Sequence, residues 1–342
     1  MNIALFFGGK SVEHEVSLQS AKFIYQNIDR EQHQVFLIGI TKQNQFRHFI
    51  GSIDQIEDWE NYTSDNQVVL LSGNQPAGLY HDQQLVAQFE LAFPVLHGDF
   101  GEDGKIQGVF EMAGLPYVGC GVLASAGAMD KDIAKQVFKH NQVPVLNHQL
   151  VYKWQEVQDV IPQTQLPCFV KPANLGSSVG VTKAKTQDEL RQALKLAFQY
   201  DHKVMIEPAI EARELEVSVL GGGADIQVAT VGEIIPDREF YDYDAKYSNS
   251  QSQLLIPADL SEDGIKHLQH LAKIAFQAID GYGLARVDFF QDKQTGEFFL
   301  NEINTLPGFT AISMYPKLWQ ASGLEPRELV AKLIELALRR DQ

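Results

Sequence analysis

Cysteine is nearly absent: Cys120 and Cys168 are the only two in 342 residues. That excludes a disulfide scaffold, a cysteine-built metal centre and a Cys-x-x-Cys redox motif, and leaves two small buried hydrophobes in a reducing compartment. Positive charge is scarce too, with 28 Lys and Arg against 44 Asp and Glu, a net charge of −16. Such a balance argues against a nucleic-acid or anionic-membrane surface as the main partner. It does not exclude a small anionic ligand, because a local cluster of Lys and Arg can oppose the global sign. No apolar run approaches the ~18 residues of a membrane span. The opening residues 1–7 carry no basic segment, so no signal peptide is expected. Also missing are internal repeats, low-complexity tracts, the Gly-x-Gly-x-x-Gly dinucleotide fingerprint and the Gly-Lys-Ser/Thr close of a Walker A loop. What remains is 44% hydrophobic and 21% charged, enough chain for two or three domains with real cores. The expectation is a cytoplasmic protein acting on small molecules.

Hydrophobic patterning organises that chain. Residues 2–7 read as a buried strand ended by Gly8-Gly9, followed by a helix over about 16–28 and a strand over 34–40. Strand, glycine turn, helix, strand is a βαβ unit, and it implies a parallel sheet. Residues 43–88 are polar with weak strands near 46–50 and 68–71. A strong strand over 89–96 then runs into a loop rich in glycine and charge, 97–104, with a helix over about 105–113 behind it. A second region follows a crossover at 115–123: a helix over 130–140, strands over 166–171 and 179–184 flanking Pro172–Ser178, and a helix behind Thr186 and Glu189, which are spaced as a capping box. Another strand spans 203–207. From about Arg213 come strands over 215–220 and 226–235, a long irregular stretch over 236–257, a helix over 262–279, two strands, and a final helix opened by Pro326. A structureless stretch that long is usually functional.

The sharpest local inference concerns residues 284–304. Two strands, 284–291 and 297–304, joined by a turn centred near Thr295, set Arg286 opposite Asn304 and Asp288 opposite Glu302. Period-two alternation puts all four on one face and Val287, Phe289, Phe299 and Ile303 on the other. Facing carboxylates destabilise a sheet, so something must neutralise them. Three oxygen donors without His or Cys suit a hard cation such as Mg²⁺, with nucleotide phosphates completing its shell. An Arg286–Asp288–Glu302 ion-pair network is the competing reading. The metal is favoured by the loop at 304–310, where a ligand could approach the backbone. Lys171 beside the Gly/Ser loop 172–180 could cradle phosphates, although a plain hairpin tip is about as good a reading. Glu13 and Glu15 precede a helix, where the dipole alone accounts for them. His97, Lys246 and Tyr247 are equally ambiguous one at a time.

Taken in order, seven segments resemble the D-alanine–D-alanine ligases of the ATP-grasp superfamily, over essentially the whole chain. They are residues 8–17, 97–104, 129–131, 171–180, 240–247, 286–288 and 302–308. The resemblance implies an α/β chain, α+β in its ATP-binding part, of three domains: a Rossmann-like unit at 1–120, a central ATP-grasp subdomain at 121–211 and a C-terminal one at 212–342, with a lid at 236–257. It implies ATP between the second and third domains and two Mg²⁺ (or Mn²⁺) ions on Asp288, Glu302 and Asn304. Lys131, Lys171 and Lys246 would contact phosphates, and Glu214 the ribose. Glu207 would meet the adenine; Pro208 has no N–H, so a neighbour such as Ile210 would supply the backbone contact. Glu13 would pair with the ammonium of the first of two D-alanines, with His97 near its carboxylate. Glu13, Ser177 and Tyr247 would join three domains in one hydrogen-bonded set. Arg286 and the Gly308 amide would stabilise the oxyanion, and Ser313 would receive the second carboxylate. A homodimer through the first domain is a further family expectation.

The implied chemistry is ATP-dependent formation of D-alanyl-D-alanine for peptidoglycan, through a D-alanyl phosphate. A carboxylate is a poor acylating agent until phosphorylation supplies a leaving group, and the acyl phosphate must then be kept from water. The nearest rival is a relative taking D-lactate or D-serine second; Tyr247 speaks against the lactate form. A catalytically dead ATP-binding regulator is the rival of another class, opposed by the complete set of lysines and metal ligands.

Overall fold

The computed structural model describes residues 1–64, 67–71, 75–235 and 253–340. Lys246, Tyr247 and most of the 236–257 stretch lie outside them. The first unit begins with β1 (Asn2–Gly8), α1 (His14–Asn27), β2 (Gln34–Ile40) and β3 (Phe46–Phe49), followed by a small antiparallel sheet of β4 (Gln67–Leu70), β5 (Gly78–His81) and β6 (Gln84–Gln88). β7 (Leu91–Pro94) then returns beside β1, giving the order β3-β2-β1-β7 with β2 and β7 parallel to β1. β1 is apolar along its length because both faces are covered. On one side lie Leu18, Ala21 and Ile24 of α1. On the other lies Phe110 of α2 (Lys105–Met112).

Two short helices follow, α3 (Val122–Met129) and α4 (Lys131–His140). The central sheet consists of β8 (Gln149–Val151), β9 (Cys168–Pro172), β10 (Thr182–Ala184) and β11 (Val204–Pro208), antiparallel in the order β10-β9-β11-β8, with α5 (Val157–Val160) in the connection. α6 (Gln187–Ala197) covers it with Leu190, Ala193, Leu194 and Ala197, the face read from the sequence. Its start is a variant of the capping box: the Thr186 hydroxyl accepts from the Glu189 N–H, while the Glu189 carboxylate accepts from Lys185, one residue earlier than the motif requires.

The third sheet is antiparallel in the order β14-β13-β12-β15-β16, from β12 (Ala212–Gly222), β13 (Gln227–Ile235), β14 (Gln253–Leu255), β15 (Tyr282–Asp292) and β16 (Phe298–Asn304). α7 (Glu262–Ala278) lays Leu268, Leu271, Ala272, Ala275 and Phe276 on it. α3 and α4 add Ala124, Ala128, Ala134 and Phe138 to this same core, although they fall within the segment expected to form the central domain. The last helices, α8 (Met314–Ala321) and α9 (Pro326–Arg339), pack Leu318, Leu329, Val330, Leu333 and Ile334 into the core beneath β1 and α1. No described helix is long and apolar enough to cross a membrane.

The β15–β16 register is Arg286 opposite Asn304 and Asp288 opposite Glu302, as the sequence spacing requires. One feature departs from it. A bulge beyond Asp288 pairs Phe289 with Leu300, so Leu300 is fully buried and Phe299, expected in the core, is only half-buried. Sequence patterning also missed α3, whose small residues give little amphipathic contrast, and α8, whose Pro316 sits harmlessly in the first turn.

Candidate active site

The three units enclose one cavity of about 1800 Å³. Sixteen residues were expected at the site, and the fourteen that the structure describes all line it: Glu13, His97, Lys131, Lys171, Ser177, Glu207, Ile210, Glu214, Arg286, Asp288, Glu302, Asn304, Gly308 and Ser313. Lys246 and Tyr247 are the two outside the described residues.

The first unit contributes the loop after β1. Glu13 is buried at the N-cap of α1. Gly98 approaches it so closely, with φ +66°, that a Cβ there would stand 2.8 Å from Glu13 Oε2; only glycine fits such a position. The Gly/Ser loop of the central unit reaches the same carboxylate at Gly176. Ser177 and Ser178, which follow, both hold left-handed φ values of 52° and 58°. Such strain in consecutive non-glycine residues is concentrated at functional loops. The Ser177 hydroxyl is buried and has no hydrogen-bond partner among the described residues.

His97 and Glu102 tie this loop to the segment after β16. His97 Nδ1 lies 2.8 Å from the Leu306 carbonyl, which can only accept, so Nδ1 carries the proton. Nε2 then accepts from Ser20 Oγ at 3.1 Å, and Ser20 Oγ accepts from the Phe309 N–H at 3.2 Å. Burial drives the His97 pKa down and keeps the ring neutral. Both ring nitrogens are engaged within the protein. In this arrangement His97 holds the 306–309 loop and offers no ring nitrogen to a substrate carboxylate. Glu102, which sequence reasoning did not assign a role, accepts from the N–H groups of Gly98 (2.8 Å) and Leu306 (3.0 Å). Burial and the charge of Glu13 push its pKa up to about 8 against those two bonds. Ser313 Oγ is 3.0 Å from the Thr310 N–H and 2.8 Å from its hydroxyl, beside Gly308.

The C-terminal sheet forms an acidic wall. Arg286 grips Asp288 with Nε and Nη2, each at 2.7 Å, and its Nε lies 3.0 Å from Glu216. Glu216 stands opposite Asp288 on β12; it was missed by sequence reasoning, although its two-residue spacing from Glu214 puts both on one face. The Asn304 amide nitrogen donates to Asp288 at 2.9 Å, which leaves its oxygen as the group for a cation. Glu302 faces Lys131 at 3.4 Å. The opposed carboxylates are thus compensated by Arg286 on one and Lys131 on the other. Among the described residues no three His, Cys, Asp or Glu side chains form a ready-made metal centre. The donor set of two carboxylates and an amide oxygen nonetheless has the chemistry of a hard-cation site completed by its ligand.

The central sheet and the helix α4 together form a basic wall. Asp130 caps α4 by accepting from the N–H groups of Asp132 and Ile133. Lys203 holds Asp130 at 2.5 Å and Asp132 at 3.2 Å, and His148 holds Asp132 at 3.0 Å. This clamp fixes the first turn of α4 and so Lys131, whose Nζ reaches the Leu175 carbonyl at 2.6 Å. The Lys203 carbonyl also accepts from the Ala173 N–H, and Asp201 accepts from both nitrogens of Asn174, which anchors the Gly/Ser loop. Lys171 and Lys135 converge on Glu207 from two sides, at 2.5 and 2.6 Å. Burial would raise the Glu207 pKa, but Lys171 and Lys135 hold it near 2. Beyond Glu207, Pro208 lacks an N–H and that of Ala209 bonds Pro167, so Ile210 is the next backbone donor along the strand.

Over residues 2–120 the chain matches the family described as D-ala D-ala ligase N-terminus, and over 111–335 the D-ala D-ala ligase C-terminus. A D-alanine–D-alanine ligase of Ruminiclostridium cellulolyticum is 45% identical, spanning 99% of this chain and 95% of that protein. One from Heliobacterium modesticaldum is 47% identical over 99% and 94%. Among solved structures, the VanG D-Ala:D-Ser ligase of Enterococcus faecalis superposes with a TM-score of 0.88 at 36% identity, covering 98% of this chain and 99% of that one. The D-alanine-D-alanine ligase of Coxiella burnetii gives 0.86 at 35% identity, with 99% and 94% covered. With both halves of the site built on one continuous match, the chain belongs to the D-alanine–D-alanine ligase family.

Proposed function

We propose that the cavity joins two D-alanines to D-alanyl-D-alanine at the expense of ATP, as a step in making peptidoglycan precursor. The observation that carries this reading is a basic wall facing an acidic one across a single cavity, which is what a triphosphate and its cation require. The expected units at 1–120, 121–211 and 212–342 would supply the amino-acid side, the base and phosphate side, and the cation side.

In this reading a carboxylate oxygen of the first D-alanine attacks the γ-phosphorus, ADP leaves, and an acyl phosphate forms. The amine of the second, free of its extra proton, attacks the carbonyl carbon; phosphate departs with the C–O electron pair and takes up the proton that the nitrogen loses as the amide forms. Glu13 receives the ammonium of the first substrate; its burial strengthens that pairing. Lys131 and Lys171 bind phosphate oxygens, and Glu207, Ile210 and Glu214 hold the nucleoside. Arg286 and the Gly308 amide face the developing oxyanion, where fixed donors are worth most. The loop carrying Gly308 is kept in place by His97, Ser20 and Glu102, while Ser313 lies where the second carboxylate would enter. Asp288, Glu302 and Asn304 would hold Mg²⁺ or Mn²⁺, which when bound offsets phosphate charge. Lys246 and Tyr247 complete the phosphate and Glu13–Ser177 sets on the resemblance alone.

The test is phosphate release from ATP with and without D-alanine, with product analysis when D-serine and D-lactate compete. D-alanine-dependent release with dipeptide as the main product is expected. Release independent of D-alanine, or none, would overturn the reading; a dominant D-alanyl-D-serine product would move the chain to the activity named for its Enterococcus relative.

A further inference from the structure

Lys135 has no part in the assignments above. It lies in the middle of α4, four residues after Lys131, and is 2% exposed. Its Nζ is 2.6 Å from Glu207 Oε1, while Lys171 Nζ is 2.5 Å from Glu207 Oε2. One buried carboxylate therefore serves two ammonium groups. Burial pulls the Lys135 pKa down, Glu207 raises it, and Lys171 and Lys131 add repulsion. A core gains little from such an arrangement, since an apolar pair of similar volume is usually at least as stable. Its position beside the cleft gives the reason for it.

We propose that Lys135 is a positioning residue of the nucleotide site: it keeps Glu207 compensated so that Lys171 can leave that carboxylate for a phosphate. The inference rests on reading this pocket as the nucleotide site. Lys171 is held on Glu207 in the structure, and both face the cavity. To bind a phosphate oxygen its ammonium has to loosen or give up its hold on Glu207, sharing its charge between the two anions or swinging away from the carboxylate. Were Lys171 the sole partner, that move would strand a buried anion, which is costly. With Lys135 on the other oxygen the carboxylate stays paired, and Glu207 remains ionised and fixed, ready to accept from an amino group of the base.

A double-mutant cycle tests this, read with inorganic tripolyphosphate as a phosphate-only competitor and with KM for ATP. Lys135→Met in the native background should weaken tripolyphosphate about tenfold and raise the ATP KM similarly, leaving the D-alanine KM within about twofold. In a Lys171→Met background the same substitution should cost less than about threefold, because the residue it acts through is gone. Equal losses in both backgrounds would mean that Lys135 acts only as a distant charge, and would overturn the proposal, as would no loss in either. Lys135→Arg keeps the charge and should restore most of the affinity. If Lys135→Met does not fold, Lys135→Gln makes the same comparison with a polar head retained for Glu207. Glu207→Gln separates the two levels of argument. No change in ATP KM or tripolyphosphate binding there would sink the nucleotide reading itself; a change there with none in the Lys135 variants would sink only the role given to Lys135.

Discussion

The two walls of the cleft bury charge in opposite ways. On the basic wall two lysines, Lys135 and Lys171, share one carboxylate, Glu207, and a third, Lys131, stands beside them. On the C-terminal sheet two carboxylates, Glu216 and Asp288, share one guanidinium, Arg286, and a third, Glu302, is met by Lys131 reaching across the gap. Each wall carries an excess of one sign, and the excesses partly cancel across the gap. A ligand that is itself a paired anion and cation can replace that cross-gap contact with better ones on both sides. The chain is strongly acidic overall, so a basic wall has to be built locally. It is built on a strand that alternates Lys171 with core residues, and on a helix whose i and i+4 lysines share a face.

The contrast can be broken from either side. The largest effect is expected from Glu302→Gln, which halves the facing carboxylate pair: turnover should fall about 100-fold or more, with the melting temperature nearly unchanged. Near-normal Mg²⁺-dependent turnover would remove Glu302 from the acidic wall's function. Next comes Lys203→Met, which leaves Asp130 and Asp132 without their shared cation. A stability loss of about 2–4 kcal/mol in denaturant unfolding is expected, with a raised ATP KM because Lys131 and the Gly/Ser loop lose their anchor. An ATP KM unchanged in folded protein would show that the clamp supports the fold alone.

The smallest effect concerns the side of the cavity where the first unit meets the 306–309 loop; there the pKa values of Glu102 and His97 are shifted in opposite senses. Glu102 has a folded pKa of about 8, above its ordinary 4.5. The folded state therefore holds the proton more tightly, and the stability this gives is lost as pH rises from 4.5 through about 8. His97 has a depressed pKa, so its contribution is present above 6.5 and is lost as pH falls below that value. Melting curves from pH 5 to 9 should show Glu102→Gln flattening the loss on the alkaline side while leaving the acid side as it was. An unaltered alkaline slope would place that titration elsewhere.

Much of the acidic wall was legible in the sequence, because strand alternation and one short turn fix which residues face each other. The bulge at Asn301 escaped, since an extra residue leaves the alternation on either side intact, and so did Glu216, because no short turn ties β12 to β15. The basic wall was legible by residue and not by pairing. Lys135 in isolation reads as a solvated helix lysine; only its distance of four from Lys131 hints otherwise. Lys203, Glu102 and Ser20 act through contacts between distant segments, for which spacing carries no signal. The same holds for α9, whose period predicts a helix and whose target, the underside of β1, no pattern names.

That last contact has a consequence for the order in which the molecule can be made. Leu329, Leu333 and Ile334 fill the core that also holds Ile3, Leu5 and Leu18. Arg327 meets Asp29 at 3.1 Å, and Arg340 bonds the Gly119 carbonyl while lying between the rings of Tyr117 and Tyr282. Residues 1–40 thus wait for residues 326–340, made much later, to complete their core. On the ribosome the face of their sheet that α1 covers only in part stays incomplete through the translation of some three hundred residues. A nascent chain arrested before residue 326 should present that face to a holdase chaperone, and one extended past residue 340 and clear of the exit tunnel should not.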